Sequence, residues 1–62
     1  MIKLIFEAFN DSGDSVFSDV QGNYYTEHRA DDGATALYKN APHDEFDGAL
    51  GERVEEEYEV YD

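Results

Sequence analysis

Apolar residues alternate with the remaining positions in three stretches of the first half of the chain. From Ile2 to Phe9 every second residue is apolar, the period expected of a strand with one buried face. The alternation returns over residues 16–20, and residues 24–29 are rich in side chains that favour strands. Turn-forming residues fill positions 10–14 and 21–23 between these stretches. The first half therefore predicts a three-stranded antiparallel meander.

The second half predicts one helix and one further strand. Asp31-Asp32-Gly33 interrupts the pattern, and an Asp here can cap a short helix over residues 34–40, which Pro42 ends. Residues 43–51 are typical of a polar loop. Residues 53–61 fit either period, but the like charges at 55, 56, 57 and 59 would repel across helical turns and favour a strand. We expect an α+β fold: a small antiparallel sheet of three to four strands with one short helix.

Length and composition predict a single domain over residues 1–62. A chain of 62 residues can build one small core, either its own or one shared across a homodimer interface. The sequence contains no cysteine, so packing alone must stabilise that core. Phe6, Phe9 and Phe17 belong to alternating stretches, and we expect all three to be core residues.

The charge of the chain is its most unusual property. Sixteen Asp and Glu face four Lys and Arg, giving a formal charge of −12, yet nine residues are aromatic. The aromatic content favours folding, whereas the charge argues against binding to nucleic acid or to an anionic membrane. The apolar run Leu4-Ile5-Phe6 is too short for a signal peptide or a membrane span. We expect a protein that acts in a host cytoplasm.

Few residues offer catalytic or metal-binding chemistry. The loop containing His43, Asp44, Glu45 and Asp47 could attract a cation, but consecutive acids after a proline are more often simply solvated. The sequence has no phosphate-binding glycine loop and no cysteine nucleophile. We therefore expect no enzyme, no metal site and no cofactor.

The spacing of the acids suggests a binding function. If residues 53–61 form a strand, Glu55, Glu57 and Glu59 project from one face about 6.5–7 Å apart and resemble a row of phosphates. Such a surface could occupy the basic groove of a DNA-binding protein. Asp31 and Asp32 add a second acidic patch. A solvated strand face is the alternative explanation of the glutamate row.

Two blocks resemble a known family. Gly22–Arg29, with its paired tyrosines followed by His28 and Arg29, and the later Leu37-Tyr38-Lys39-Asn40 are similar to the small phage inhibitors of uracil-DNA glycosylase. The resemblance implies a dimeric α+β protein that mimics DNA and offers the enzyme an apolar pocket. Tyr38 would line that pocket. The family has an acidic residue directly after the tyrosine pair, where this chain has Thr26 followed by Glu27.

The sequence therefore predicts a DNA mimic that inhibits a host DNA-binding enzyme, with uracil-DNA glycosylase as the first target. An anti-CRISPR or anti-restriction mimic is the next hypothesis, and a small acidic domain from a halophile, without inhibitory role, is the structural alternative. The predicted partner-binding residues are Tyr25, Glu27, Asp31, Asp32, Leu37, Tyr38, Glu55, Glu57 and Glu59.

Overall fold

The computed structural model describes residues 1–40 and 50–61, and all regular structure in these residues is β-strand. The strands are β1 Ile2–Phe9, β2 Ser15–Ser18, β3 Tyr24–Arg29, β4 Thr35–Asn40, β5 Leu50–Arg53 and β6 Tyr58–Tyr61. The sheet order is β5-β4-β3-β2-β1-β6, antiparallel throughout except that β6 runs parallel to β1. The predicted meander of the first three strands is confirmed.

The first four strands are joined by three turns of the same construction. In each turn, the first residue donates its backbone N–H to the carbonyl of the fifth, and a glycine in fourth position donates to the carbonyl of the first. Gly13, Gly22 and Gly33 have φ values of 84°, 86° and 89°, a conformation that other residues adopt at a cost. This is a tight turn followed by a glycine bulge, a common hairpin connection. The turns cover residues 10–14, 19–23 and 30–34.

The predicted α+β class is wrong, because residues 35–40 form strand β4 and not a helix. Asp32 does accept a backbone N–H, but the donor is Ala34 inside the third turn, so the side chain closes a hairpin and caps no helix. Leu37 then points into the core with strand alternation. No described element is a helix long and apolar enough to cross a membrane.

The C-terminal prediction is also wrong in its bounds. Residues 53–61 are divided between the end of β5 and all of β6, and residues 54–57 connect the two strands. Residues 1–40 and 50–61 therefore contribute six strands to the sheet, where three to four were expected. Most of the predicted polar loop, including its acidic cluster at 43–47, lies outside the described residues, and its last two residues belong to β5.

The connection over residues 54–57 requires the sheet to curl. Its two ends lie on the two edge strands, which in a flat six-stranded sheet would be about 24 Å apart. From Arg53 to Tyr58 the chain can span at most about 18 Å. Val54 donates its N–H to the carbonyl of Leu37, and Ile2 donates to the carbonyl of Glu57, so the connection is fixed to both sides. The molecule is accordingly nearly isotropic, 29 × 24 × 22 Å.

The concave face of the curled sheet encloses the main core. Buried residues from four strands meet there, and side chains from β1, β6 and the connection pack against them. Val16 and Thr26 alternate with these residues, point to the opposite face and are also buried. The core consists of Leu4, Phe17, Tyr25 and Leu37, with Ile2, Val54 and Tyr58 around it.

A β-bulge in β1 alters the position of one of two predicted core residues, both of which are exposed. Phe6 pairs with Phe17, but Ala8 pairs with Val16, so Glu7 is an extra residue on this strand. Phe9 therefore lies on the same face as Phe6, and their rings pack edge to face 5.3 Å apart. Phe6 is 42 % exposed and Phe9 67 % exposed. The expectation that both are buried is wrong.

Candidate functional site

The predicted row of glutamates is not formed by a single strand. Glu55 and Glu57 lie in the connection before β6, and only Glu59 belongs to the strand. Glu59 accepts a hydrogen bond from the Tyr61 hydroxyl, 3.0 Å away. All three carboxylates are exposed, but the regular spacing expected of a strand does not relate them.

Tyr25 and Glu27 lie on the concave face, where each belongs to a tyrosine–carboxylate pair. The Tyr25 hydroxyl donates to Asp19 over 2.9 Å, and the Tyr58 hydroxyl donates to Glu27 over 2.9 Å. Burial, together with the bond to Asp19 and the charges of Asp19 and Glu56, raises the pKa of Tyr25 to about 12. Burial and the bond to Glu27 likewise raise the pKa of Tyr58. Both tyrosine–carboxylate pairs therefore lie on the inner face of the curled sheet, beside the core.

Asp19 is held in its charged form by its turn. Burial alone would raise its pKa, but hydrogen bonds from Asn23, Tyr25 and the backbone N–H of Gln21 outweigh burial and lower it. Its Oδ1 accepts the backbone N–H groups of Gln21 and Asn23, each at 2.9 Å. Asp19 therefore stabilises its turn and holds the hydroxyl of Tyr25, and it also borders the groove at its end of the sheet.

Leu37 and Tyr38 are neighbours in β4 and point to opposite faces. Leu37 is 1 % exposed and belongs to the core, so its side chain is not available to a partner. Tyr38 is half-buried on the convex face, where its ring packs edge to face on His28 at 6.4 Å. The structure does not bring the two together in one apolar pocket.

One end of the sheet collects four aspartates. The turns of residues 10–14 and 30–34 both lie there, because each joins an upward strand to a downward one. Asp11, Asp31 and Asp32 are exposed, and Asp14 is half-buried with its Oδ2 2.8 Å from Nδ1 of His28. We call this the acidic end; its residues are Asp11, Asp14, Asp31 and Asp32.

The opposite end of the sheet contains an open groove of about 670 Å³. Three of the four basic side chains of the protein, Lys3, Lys39 and Arg53, line it. Four acids line it as well, and Arg53 lies 4.0 Å from one of them, Glu55. Charges of both signs therefore offset one another at this end. We call it the groove end.

The two ends differ in charge because the basic residues are unevenly placed. Arg29 is the single Lys or Arg beside the acidic end, and within residues 1–40 and 50–61 it forms no ion pair with an aspartate. Nine of the twelve described Asp and Glu residues are exposed. These exposed carboxylates lie on the surface, where a cationic partner could reach them.

An aromatic pair adjoins the acidic end. Phe9 directly precedes the first turn, and Phe6 bridges it to the buried Phe17 with ring centroids 6.0 Å apart. Val60 lies on the neighbouring strand β6, on the same face, and is 43 % exposed. We call Phe6, Phe9 and Val60 the aromatic patch.

Titratable side chains are spread out in the part of the chain that the structure describes. No group of three His, Cys, Asp or Glu side chains could hold an ion within residues 1–40 and 50–61. His28 and Asp14 form a pair, and among the described residues neither is hydrogen-bonded to a serine or threonine hydroxyl. The acidic end can attract cationic groups, and the aromatic patch beside it presents apolar rings.

Sequence reasoning missed Asp11, Asp14 and the aromatic patch as surface features. The three turns share a glycine in fourth position, and that repeat could have placed the first and third turns at one end of the sheet. Phe6 and Phe9 are three residues apart, a spacing that breaks the period of two and is the visible trace of the bulge.

Comparisons with protein families, with curated proteins and with solved structures found no match to this chain.

Proposed function

We propose that this protein is a DNA mimic, a binding protein that occupies the cationic groove of a DNA-binding enzyme with its acidic end. The observation that carries the proposal is the separation of charge. Four aspartates occupy one end of the sheet, while three of the four basic side chains lie at the other. The acidic end therefore offers a cationic partner negative charge that few basic side chains offset.

The construction of the acidic end suits this role. Its two turns are separated by two strand spacings, or about 10 Å, so the aspartates form two groups on a fixed scaffold. Asp32 is oriented by its bond to the Ala34 N–H, and Asp14 by its contact with His28. Pre-ordered charges lose little conformational freedom on binding. A groove lined by Lys and Arg would meet carboxylates where it normally meets phosphates.

Uracil-DNA glycosylase is the first enzyme to test, on the strength of the sequence resemblance. The first similar block covers the end of the turn of residues 19–23 and all of β3, and the second lies within β4. The α+β fold that the resemblance implied is not the fold of this chain. The proposal therefore assigns the binding to the acidic end and not to a pocket lined by Tyr38. Anti-CRISPR and anti-restriction targets follow from the same charge argument.

The experiment is a titration of uracil excision by a bacterial uracil-DNA glycosylase at low and moderate salt. We expect near-stoichiometric inhibition that weakens as salt rises, because exposed charges are screened over about 10 Å at 0.1 M salt. Displacement of labelled duplex DNA from the enzyme should follow the same salt dependence. Failure of a folded sample to inhibit or to displace DNA would remove this enzyme as the target.

A further inference from the structure

The aromatic patch is built into the strand rather than left over from an incomplete core. The bulge at Glu7 turns Phe9 onto the face of Phe6, whereas an unbroken period of two would have placed the rings on opposite faces. Phe6 leans on Phe17, which is 6 % exposed and belongs to the core. The outer ring, Phe9, therefore packs on Phe6, which in turn packs on a core residue.

We infer that the aromatic patch is the apolar anchor of the interface: Phe9 enters an apolar recess that a protein partner presents among its Lys and Arg residues. This inference rests on the proposed function and adds the part of the contact that charge alone cannot provide. Large aromatic side chains that are exposed in the free protein and buried in the complex dominate many interfaces.

Charge complementarity decides which partner covers the patch. Asp11 is two residues from Phe9, and Asp31 and Asp32 lie at the same end of the sheet. A second copy of this chain would bring a charge of −12 and a like set of aspartates against these residues. A cationic protein surface with an apolar recess satisfies both the rings and the carboxylates.

The test uses two synthetic peptides with the same number of lysines, one with a central pair of leucines and one with serines in their place. Binding of each is measured by NMR titration of the intact protein at low and at moderate salt. We expect the leucine peptide to bind more tightly and to shift the signals of Phe6, Phe9 and Val60. Phe9→Ser should reduce its affinity at least about fivefold and abolish the preference.

The matched control is Val20→Ser, which removes an apolar side chain that is 87 % exposed in the turn of residues 19–23, at the groove end. It should leave the leucine preference unchanged. Equal binding of both peptides to the unmodified protein, or a Phe9→Ser variant that keeps the preference, would overturn the anchor while leaving the proposed function intact. Failure of both peptides to bind at low salt would contradict the proposed function itself.

Sedimentation of the free protein tests whether a second copy of this chain covers the aromatic patch. We expect a monomer at the concentrations used for the titration, because the aspartates oppose a second copy at this face. A dimer that Phe9→Ser dissociates and Val20→Ser does not would overturn the inference, since the patch would then be a contact between copies of this chain.

Discussion

Asn10 and Asp19 organise their turns with the same pair of hydrogen bonds. Each side chain stands first in its turn, and its Oδ1 accepts the backbone N–H groups of the third and fifth residues at 2.9–3.0 Å. In the third turn this first position is Ala30, and Asp32 accepts the N–H of Ala34 alone. The third turn therefore lacks an acceptor that the other two possess.

Ala30→Asn should stabilise the protein by about 0.5–1 kcal/mol, because the new side chain can accept the backbone N–H of Asp32. Asn10→Ala should destabilise it by about 1–2 kcal/mol, because it removes both bonds from the equivalent position. Urea unfolding monitored by circular dichroism measures both free energies of unfolding. A loss of stability in Ala30→Asn would show that the turns are not equivalent.

Tyr25 gives the protein a sensitivity to alkaline pH. Its pKa is about 12 in the folded state, mainly because of burial, and about 10 in an exposed tyrosine. Above pH 10 the unfolded chain loses this proton while the folded chain keeps it. The contribution to stability is complete below pH 10 and is lost as the pH rises towards 12.

Absorbance titration of the tyrosinate band should therefore show a transition well above pH 10 that belongs to Tyr25. Tyr25→Phe should remove that transition. The free energy of unfolding should decline from pH 10 upwards in the unmodified protein and less steeply in the variant. Ionisation of all five tyrosines near pH 10 in a folded sample would contradict the bond between Tyr25 and Asp19.

At the scale of elements, Gly51 determines whether β5 can pair with β4. The pairing shifts between Tyr38 and Asn40, which leaves an extra residue on β5. A side chain added at Gly51 would place its Cβ 2.7 Å from the backbone oxygen of Lys39. The close approach of the two backbones, rather than an unusual φ, requires glycine here.

Gly51→Ala should destabilise the protein by about 1–3 kcal/mol, as overpacking does elsewhere, and Gly51→Asn should be at least as harmful. Gly22 is the matched control, because no atom lies within 4 Å of a Cβ built there, and its φ of +86° is one that Asn tolerates better than Ala. Thermal unfolding of Gly51→Ala, Gly51→Asn, Gly22→Ala and Gly22→Asn measures these effects. Asn should be tolerated better than Ala at position 22 but not at position 51. Rescue by Asn at position 51 would refute the steric explanation.

The strands that could be predicted from the sequence are those whose partners are close along the chain. The period of two and the first two turns specify the meander of β1, β2 and β3. Strand β4 was mistaken for a helix because Asp31-Asp32-Gly33 satisfies the rules for a helix cap as well as those for a turn. The parallel pairing of β6 with β1 joins opposite ends of the chain, which no local pattern encodes.

The candidate site could be predicted only in its charge. Composition shows the acidity, but the grouping of Asp11 and Asp14 with Asp31 and Asp32 depends on which turns share an end of the sheet. The exposure of Phe6 and Phe9 depends on a bulge that alternation does not reveal. The glutamates at 55, 57 and 59 failed to form a row because the chain must cross between the edge strands there.

For the whole molecule, folding in dilute buffer separates a mimic from a halophile domain. The curled sheet has a packed core on its concave face and buried residues on its convex face, so we expect dispersed amide signals without added salt. Salt should raise the melting temperature by screening repulsion within a chain of charge −12. An unfolded spectrum that requires concentrated salt to become dispersed would favour the halophile explanation.

The most direct test of the central claim compares two triple variants that remove the same charge from different places. Asp11→Asn/Asp31→Asn/Asp32→Asn neutralises the exposed part of the acidic end, and Glu55→Gln/Glu57→Gln/Glu59→Gln neutralises the region after β5. Inhibition of uracil-DNA glycosylase is titrated for both variants and for the unmodified protein at one low salt concentration.

We predict strong inhibition by the unmodified protein, a marked loss in the aspartate variant and near-normal inhibition by the glutamate variant. Equal loss in both would show that net charge, and not the acidic end, attracts the partner. No inhibition by any folded sample would contradict the glycosylase as the target.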